Sequence, residues 1–203
     1  MPKAAKLDLY KLHAADYAAP RKPALLTVKP AQYLTITGRG EPGGGAFQAA
    51  IAALYGVAYT VKFASKLARR DYSVCKLEGI WWGDGGDPKF HLHPKETWNW
   101  KLLIRTPDFL SPRDVSAADA ALREKGKSGP FDQVKLETLK EGRWVQMLHV
   151  GPYDHEGETI TQMCAHAEAV GLRVHGLHHE IYLSDPRRVA PAKLRTILRL
   201  RVR

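Results

Sequence analysis

A chain of 203 residues, 44 % hydrophobic and 26 % charged, can bury a sizeable core and has the balance of an ordinary folded domain. Its formal net charge of +10 invites an acidic partner, but much of the excess sits between Arg187 and Arg203, with no helix-turn-helix, zinc-finger or RNA-recognition signature, so nucleic acid is not expected. No apolar run approaches the roughly 20 residues of a membrane span, no signal-type segment follows the basic N-terminus, and Cys75 and Cys164 stand in no metal or redox spacing; a cytoplasmic chain with reduced thiols and no membrane contact is expected.

Residues 1–22 read as an N-terminal arm, weakly helical, with Leu7, Leu9, Tyr10, Leu12 and Tyr17 as packing contacts before Pro20 and Pro23 end it. A strand at 32–37 follows and runs into the turn-rich loop Gly38–Gly45. Phe47, Ile51, Leu54 and Tyr55 then recur at helical spacing, giving a helix through Val61 or beyond with an interruption near Gly56. Strands are expected at 72–82 and 98–105, then a short charged helix at 117–125 and a loop at 126–130. The pattern restarts with a strand at 142–151, a helix at 158–170 closed by Gly171, and strands around Glu180 and at 194–202. In the last of these, Arg195, Arg199, Arg201 and Arg203 alternate with apolar residues, as in a half-buried strand with a basic solvent face.

Strand, helix, strand, strand thus occurs twice. Gly38 matches Gly151 as a strand-ending glycine, and Glu78-Gly79-Ile80-Trp81 echoes Glu180-Ile181-Tyr182. The economical fold is α+β: a duplicated unit with pseudo-twofold symmetry forming one antiparallel sheet. The halves span about 23–110 and about 130–203, two main helices cover one sheet face, and the seam between halves on the other face offers a ligand groove.

The chemistry points to the segment His178–Arg188. Strand alternation places Glu180 and Tyr182 on one face, Ile181 and Leu183 on the other. A carboxylate beside aromatic surface suits a flat or cationic small molecule; the plainer alternative is an edge strand with a solvated Glu. Trp81, Trp82, Trp98 and Trp100 cluster closely, which favours a lined cavity over core filling alone. Of adjacent Trp81 and Trp82, one must point away from the core, whereas Trp98 and Trp100 share a face. The Gly38–Gly45 loop lacks both phosphate-binding and dinucleotide fingerprints. His91, His93, His178 and His179 lack the spacing of a metal site, so neither metal nor cofactor is expected. No nucleophile signature is present. Acid–base work by Glu180, aided by Tyr182, Tyr153 or His155, is the leading chemistry.

The segments Glu78–Trp82, Glu96–Arg105, Gln146–Tyr153 and His178–Arg188 together make the chain, from about residue 20 to its end, resemble a stand-alone member of the GyrI-like small-molecule-binding family, the bacterial effector-binding domain. The resemblance implies a groove between the halves with Glu180 as its central acid and Trp81, Trp98, Trp100, Tyr153 and Tyr182 as aromatic walls; Trp82, Glu78 and His155 join as candidate ligand contacts. It implies a planar, aromatic, even cationic ligand. Some stand-alone relatives with this tryptophan-rich pattern resemble detoxifying hydrolases that open cyclopropane-bearing DNA-alkylating compounds by adding water. The alternative is a non-catalytic ligand-sensing or protein-binding module of the gyrase-inhibitor kind. No DNA-binding head is expected before residue 20, and a homodimer is compatible with all of this.

Overall fold

The structure, a computed structural model, describes residues 6–87, 89–140 and 142–203. Its strands are β1 (Ala24–Val28), β2 (Ala31–Arg39), β3 (Leu77–Trp82), β4 (Asn99–Arg105), β5 (Lys135–Leu139), β6 (Gly142–Val150), β7 (Val174–Tyr182) and β8 (Arg195–Val202). They form one 8-stranded antiparallel sheet in the order β1-β6-β8-β7-β3-β4-β2-β5. The helices are α1 (Leu9–Leu12), α2 (Gly45–Leu67), α3 (Pro112–Glu124) and α4 (Glu156–Ala169). The expected duplication is present as β2-α2-β3-β4 and β6-α4-β7-β8.

The pairing registers locate its axis. Gly79 pairs with Glu180, and on either side Glu78 pairs with Ile181 and Ile80 with His179. A twofold axis through the Gly79–Glu180 pair therefore exchanges Glu78 with His179 and Trp81 with Tyr182. The motif echo seen in the sequence is one residue out: Glu180 replaces Gly79, not Glu78. The glycine equivalence shifts as well. Gly40 (φ 122) donates to the Trp98 carbonyl and Gly151 (φ 140) to the Leu194 carbonyl, so Gly40, not Gly38, is the strand-ending partner of Gly151. Gly38 stays within β2 because the Trp100 indole lies across it; an added Cβ would stand 2.2 Å from the ring.

Two strands, β1 and β5, have no counterpart in the expected pattern. Each is short and separated from the next strand by two residues. β1 pairs with β6 and β5 with β2 in the same register, Ala24–Gln146 to Val28–Gly142 and Ala31–Leu139 to Thr35–Lys135. Pro30, which has no N–H to give to a ladder, sits where the chain passes from one pairing to the next. The ends of the sheet are thus two parts of a single ribbon, and the sheet curves strongly.

Helix α2 runs uninterrupted through Gly56. The missing side chain admits the Phe131 ring, 3.4 Å from where a Cβ would be, and Leu122 of α3 at 3.7 Å. At 23 residues α2 is long and apolar enough to cross a membrane by length and composition, contrary to the reading of the sequence. Its Phe47, Ala50, Leu54, Val57 and Val61 are buried with Leu34, Ile36, Leu102 and Ile104 of β2 and β4, which accounts for the apolar character as that of a core helix. α3 begins at Pro112 rather than 117 because Ser111 and Asp114 form a capping box with Pro at the first turn. Helix α4 packs Met163 and Ala167 on Val145, Met147, Leu198 and Leu200, on the same sheet face as α2.

The opposite face carries Tyr33, Leu103, Ile181, Ile197 and Arg199, all deeply buried. The arm covers part of it through Tyr17, which packs on Ile181 and Ile197. Leu12, expected to pack, is 63 % exposed. The basic solvent face expected of β8 is broken by the same arm: Arg199 is only 1 % exposed and donates to Gln146 Oε1 and to the Asp16 carbonyl.

Candidate functional site

Glu180 sits on the duplication axis, in β7, where its cross-strand neighbour Gly79 has no side chain to compete for space. Its face is the one bearing α2 and α4, shown by its cross-strand partner Leu198, which packs under α4. Glu180 therefore faces the helix side of the seam, not the helix-free face where a groove was expected. Glu180 is only 7 % exposed, which removes the reading of a solvated edge-strand acid. Tyr182, two residues on, accepts a hydrogen bond from Trp81 Nε1 at 3.1 Å. A Cβ at Gly79 would lie 2.8 Å from that hydroxyl. The hydroxyl end of Tyr182 is enclosed while its ring edge reaches the surface. Tyr153, in the one-turn helix Tyr153–His155 that leads into α4, meets Tyr182 edge-on at 6.0 Å.

An aromatic cluster extends from Glu180 toward α2. Trp81 pairs across the strands with His178, stacks with Phe47 at 5.5 Å and with Phe90 at 6.3 Å, and meets Trp98 edge-on at 6.1 Å. The Trp98 indole N–H donates to the His93 carbonyl at 2.9 Å.

The electrostatic centre is a buried triad. Glu156, the first residue of α4, approaches from the helix side. Its Oε2 is 3.7 Å from His178 Nε2, and Glu180 Oε1 is 3.0 Å from the same nitrogen. The first contact is too long for a hydrogen bond and the second lacks the alignment of one, and Glu156 Oε1 is buried without a hydrogen-bond partner. Burial, then the Glu180 carboxylate, pushes the Glu156 carboxyl up to about 8. Burial by itself would lower the His178 imidazole, but contacts with Glu156 and Glu180 outweigh it and raise it to about 9. At neutral pH the triad holds a protonated carboxyl and an imidazolium beside Glu180. Burial and the Glu180 carboxylate also push the Tyr153 phenol up to about 12, and Tyr182 higher still. Both phenols stay protonated and able to donate.

Of the residues expected from sequence, the structure brings together Glu180, Tyr182, Trp81, Trp98 and Tyr153. It settles which of the adjacent tryptophans turns toward Glu180: Trp81 does, and half-buried Trp82 faces the other way, beside Asn99. Trp100 shares the face of Trp81 but lies one strand further from the seam, packed on Gly38 and Phe47 and 2 % exposed, which makes it a core residue. Glu78 is on the opposite face, where it accepts from Tyr17 at 3.2 Å and meets His179 Nε2 at 2.8 Å. His155 is exposed at the start of α4. Glu156 and Phe90 carry no signal in the sequence. His178 is detectable only because it stands two residues from Glu180 and so shares its face. The three triad residues offer ligand atoms within 4.8 Å of one another and could hold a cation, although their sequence spacing gives no hint of it. Two cavities, about 320 Å3 beside Thr35, Gln133 and Glu137 and about 360 Å3 beside Cys164, Leu172 and Arg173, both lie away from Glu180.

A curved, duplicated sheet with a buried acid on its axis and phenol and indole rings around it is a small-molecule-binding architecture, and comparison with known proteins agrees. The family model described as the GyrI-like small molecule binding domain matches residues 116–203. Among solved structures, an uncharacterized conserved protein from Listeria innocua is 39 % identical with TM-score 0.91, over 98 % of this chain and 100 % of its own. A hydrolase from Listeria innocua is 38 % identical with TM-score 0.90, over 98 % of this chain and 100 % of its own. The C-terminal domain of EcmrR, 11 % identical, shares the fold at TM-score 0.57 over 90 % of this chain and 97 % of its own. No curated protein matches the chain. The chain belongs to the GyrI-like small-molecule-binding family.

Proposed function

We propose that this protein binds planar aromatic compounds beside Glu180 and hydrolyses those that carry a strained electrophile, such as a cyclopropane conjugated to a carbonyl. The observation that carries the reading is the pairing of Glu180 with a second buried carboxyl, Glu156, held protonated at neutral pH. A buried carboxyl that keeps its proton, set beside a second carboxyl, offers an acid and a base within one site. Glu180 takes a proton from water as the water oxygen attacks the cyclopropane carbon. The ring C–C bond breaks, and its electron pair moves through the conjugated system onto the carbonyl oxygen. Glu156, or the phenol of Tyr153 or Tyr182, gives that oxygen a proton, so the net change is addition of one water. His178 keeps positive charge beside both carboxyls, and Trp81 and Trp98 supply the flat surfaces that orient the electrophile.

The hydrolase from Listeria innocua, similar along nearly the whole chain, favours a catalytic role over a purely binding one. The free thiols Cys75 and Cys164 suit a cytoplasmic setting. The test is Glu180→Gln. Binding of a cyclopropane-bearing aromatic, followed by tryptophan fluorescence, should persist while formation of the hydrated product falls by a factor of about 10²–10⁴. Undiminished turnover would remove Glu180 as the base. Binding without turnover by the wild-type chain would favour the non-catalytic ligand-sensing module.

A further inference from the structure

Glu180 is only 7 % exposed, so a ligand that reaches it needs space that side chains now fill. Phe90 lies parallel to Trp81 within 19°, edge-on to Trp98 at 4.8 Å, and 5.9 Å from the His178 ring. It is 7 % exposed, yet it is the one buried residue among those described between Asp84 and Thr97. The described residues of that segment form no strand and no helix longer than one turn. The segment is tied down by the Trp98 indole N–H to the His93 carbonyl, by Asn99 to Asp84, and by surface ion pairs, Arg39–Asp84 at 3.0 Å and Lys95–Asp154 at 3.0 Å, of the kind that add little to stability.

Resting on the reading of the site given above, we infer that the Phe90 ring fills the ligand slot, and that a neutral planar ring bearing a carbonyl binds by displacing it onto the Trp81 face, with the carbonyl toward His178. The slot matches one six-membered ring: a flat wall, Trp81, a perpendicular wall, Trp98, and an imidazole end. A neutral ligand fits better than a cation because the Glu180 carboxylate is already engaged, its Oε1 lying 3.0 Å from His178 Nε2. Binding to the wild-type chain then draws on the fraction of molecules with the ring out, and apparent affinity is reduced by that fraction.

The experiment uses 4-quinolone, a neutral ring with a carbonyl, and N-methylquinolinium, its cationic counterpart, titrated into wild-type protein, Phe90→Ala and Phe90→Leu with tryptophan fluorescence and thermal shift as readouts. Phe90→Ala should bind 4-quinolone about 10- to 100-fold more tightly than wild type, since the ring no longer competes, with Phe90→Leu in between. N-methylquinolinium should bind more weakly than 4-quinolone to every form. Equal or weaker quinolone binding by the variants overturns the inference while leaving the ligand site intact; if Phe90→Ala does not fold, Phe90→Leu decides. Tighter binding of the cation overturns the assignment of ligand charge. Binding of neither probe to any form overturns both this inference and the functional reading beneath it.

Discussion

Glu156 and Glu180 have the same side chain in different surroundings, and the proposed mechanism gives them different roles. Glu156 is delivered to the site by the first turn of α4, where its carboxyl is buried against the Glu180 carboxylate and retains its proton. Turnover should therefore decline as pH rises past about 8, with an apparent pKa that belongs to the coupled triad rather than to one residue. Glu156→Gln keeps a donor of similar shape but cannot give up a proton. It should lower turnover about 10²-fold or more and flatten the alkaline limb of the pH–rate profile; an unchanged profile would move the acid role to a phenol. None of this is legible in the sequence, because Glu156 sits on a different element, and in three dimensions, not in chain order, do the two carboxyls meet. Glu180 and Tyr182 are legible, since alternation along a strand is a local property.

At the level of elements, two glycines show how backbone space positions the site. Gly79 and Gly38 both face aromatic side chains, but with different freedom to yield. An Ala at 79 would meet the Tyr182 hydroxyl at 2.8 Å and Trp81 Nε1 at 3.0 Å, the far ends of two side chains that reach one another by a hydrogen bond. Gly79→Ala should break that bond and weaken planar-ligand binding about tenfold, with a modest effect on folding. An Ala at 38 would meet the Trp100 ring at 2.2 Å within the core, where nothing can move aside. Gly38→Ala should cost about 3 kcal/mol, read as a loss of stability in urea with ligand affinity per folded molecule retained. The same scale explains what the sequence hid. β1 and β5 are short, and their partners are set by the long β1-β2 and β5-β6 ribbon rather than by their own composition. Helix α2 looks interrupted at Gly56 only until α3 and Phe131 are seen to need that gap.

Over the whole molecule, the two sheet faces divide the labour. The helix side holds the site; the curved inner side holds a polar network closed by the arm. Asp16 meets Arg105 at 2.8 Å, Tyr17 donates to Glu78, and Arg199 donates to Gln146 at 2.6 Å. Tyr17→Phe leaves a buried Glu78 oxygen short of a donor and should destabilise by about 1–3 kcal/mol, measured by chemical denaturation, without altering ligand affinity. Stability should also fall with rising pH. His178, raised from 6.5 to about 9, contributes fully below 6.5 and loses its contribution as pH rises through 9. Glu156, raised from 4.5 to about 8, keeps in the folded state a proton that the unfolded chain releases above 4.5, which lowers stability over that interval. Both act in the same direction. Thermal unfolding should therefore show lower stability at pH 9 than at pH 6, a difference that Glu156→Gln should reduce.

In the sequence, hydrophobic period and strand alternation, which act over a few residues, were enough for the duplicated strand-helix-strand-strand plan and for placing Glu180 and Tyr182 on one face, while the family resemblance supplied Trp81 and Tyr153 as site candidates. Only the tertiary structure decided that Glu78 and Trp82 face away, that Trp100 belongs to the core, and that Glu156 and His178 stand beside Glu180 with Phe90 against Trp81. Those outcomes depend on strand register and on which element covers which face. A shift of one residue in register turns a side chain to the other side of the sheet, and it is the Gly79–Glu180 pairing, made across the seam between the halves, that sets the register.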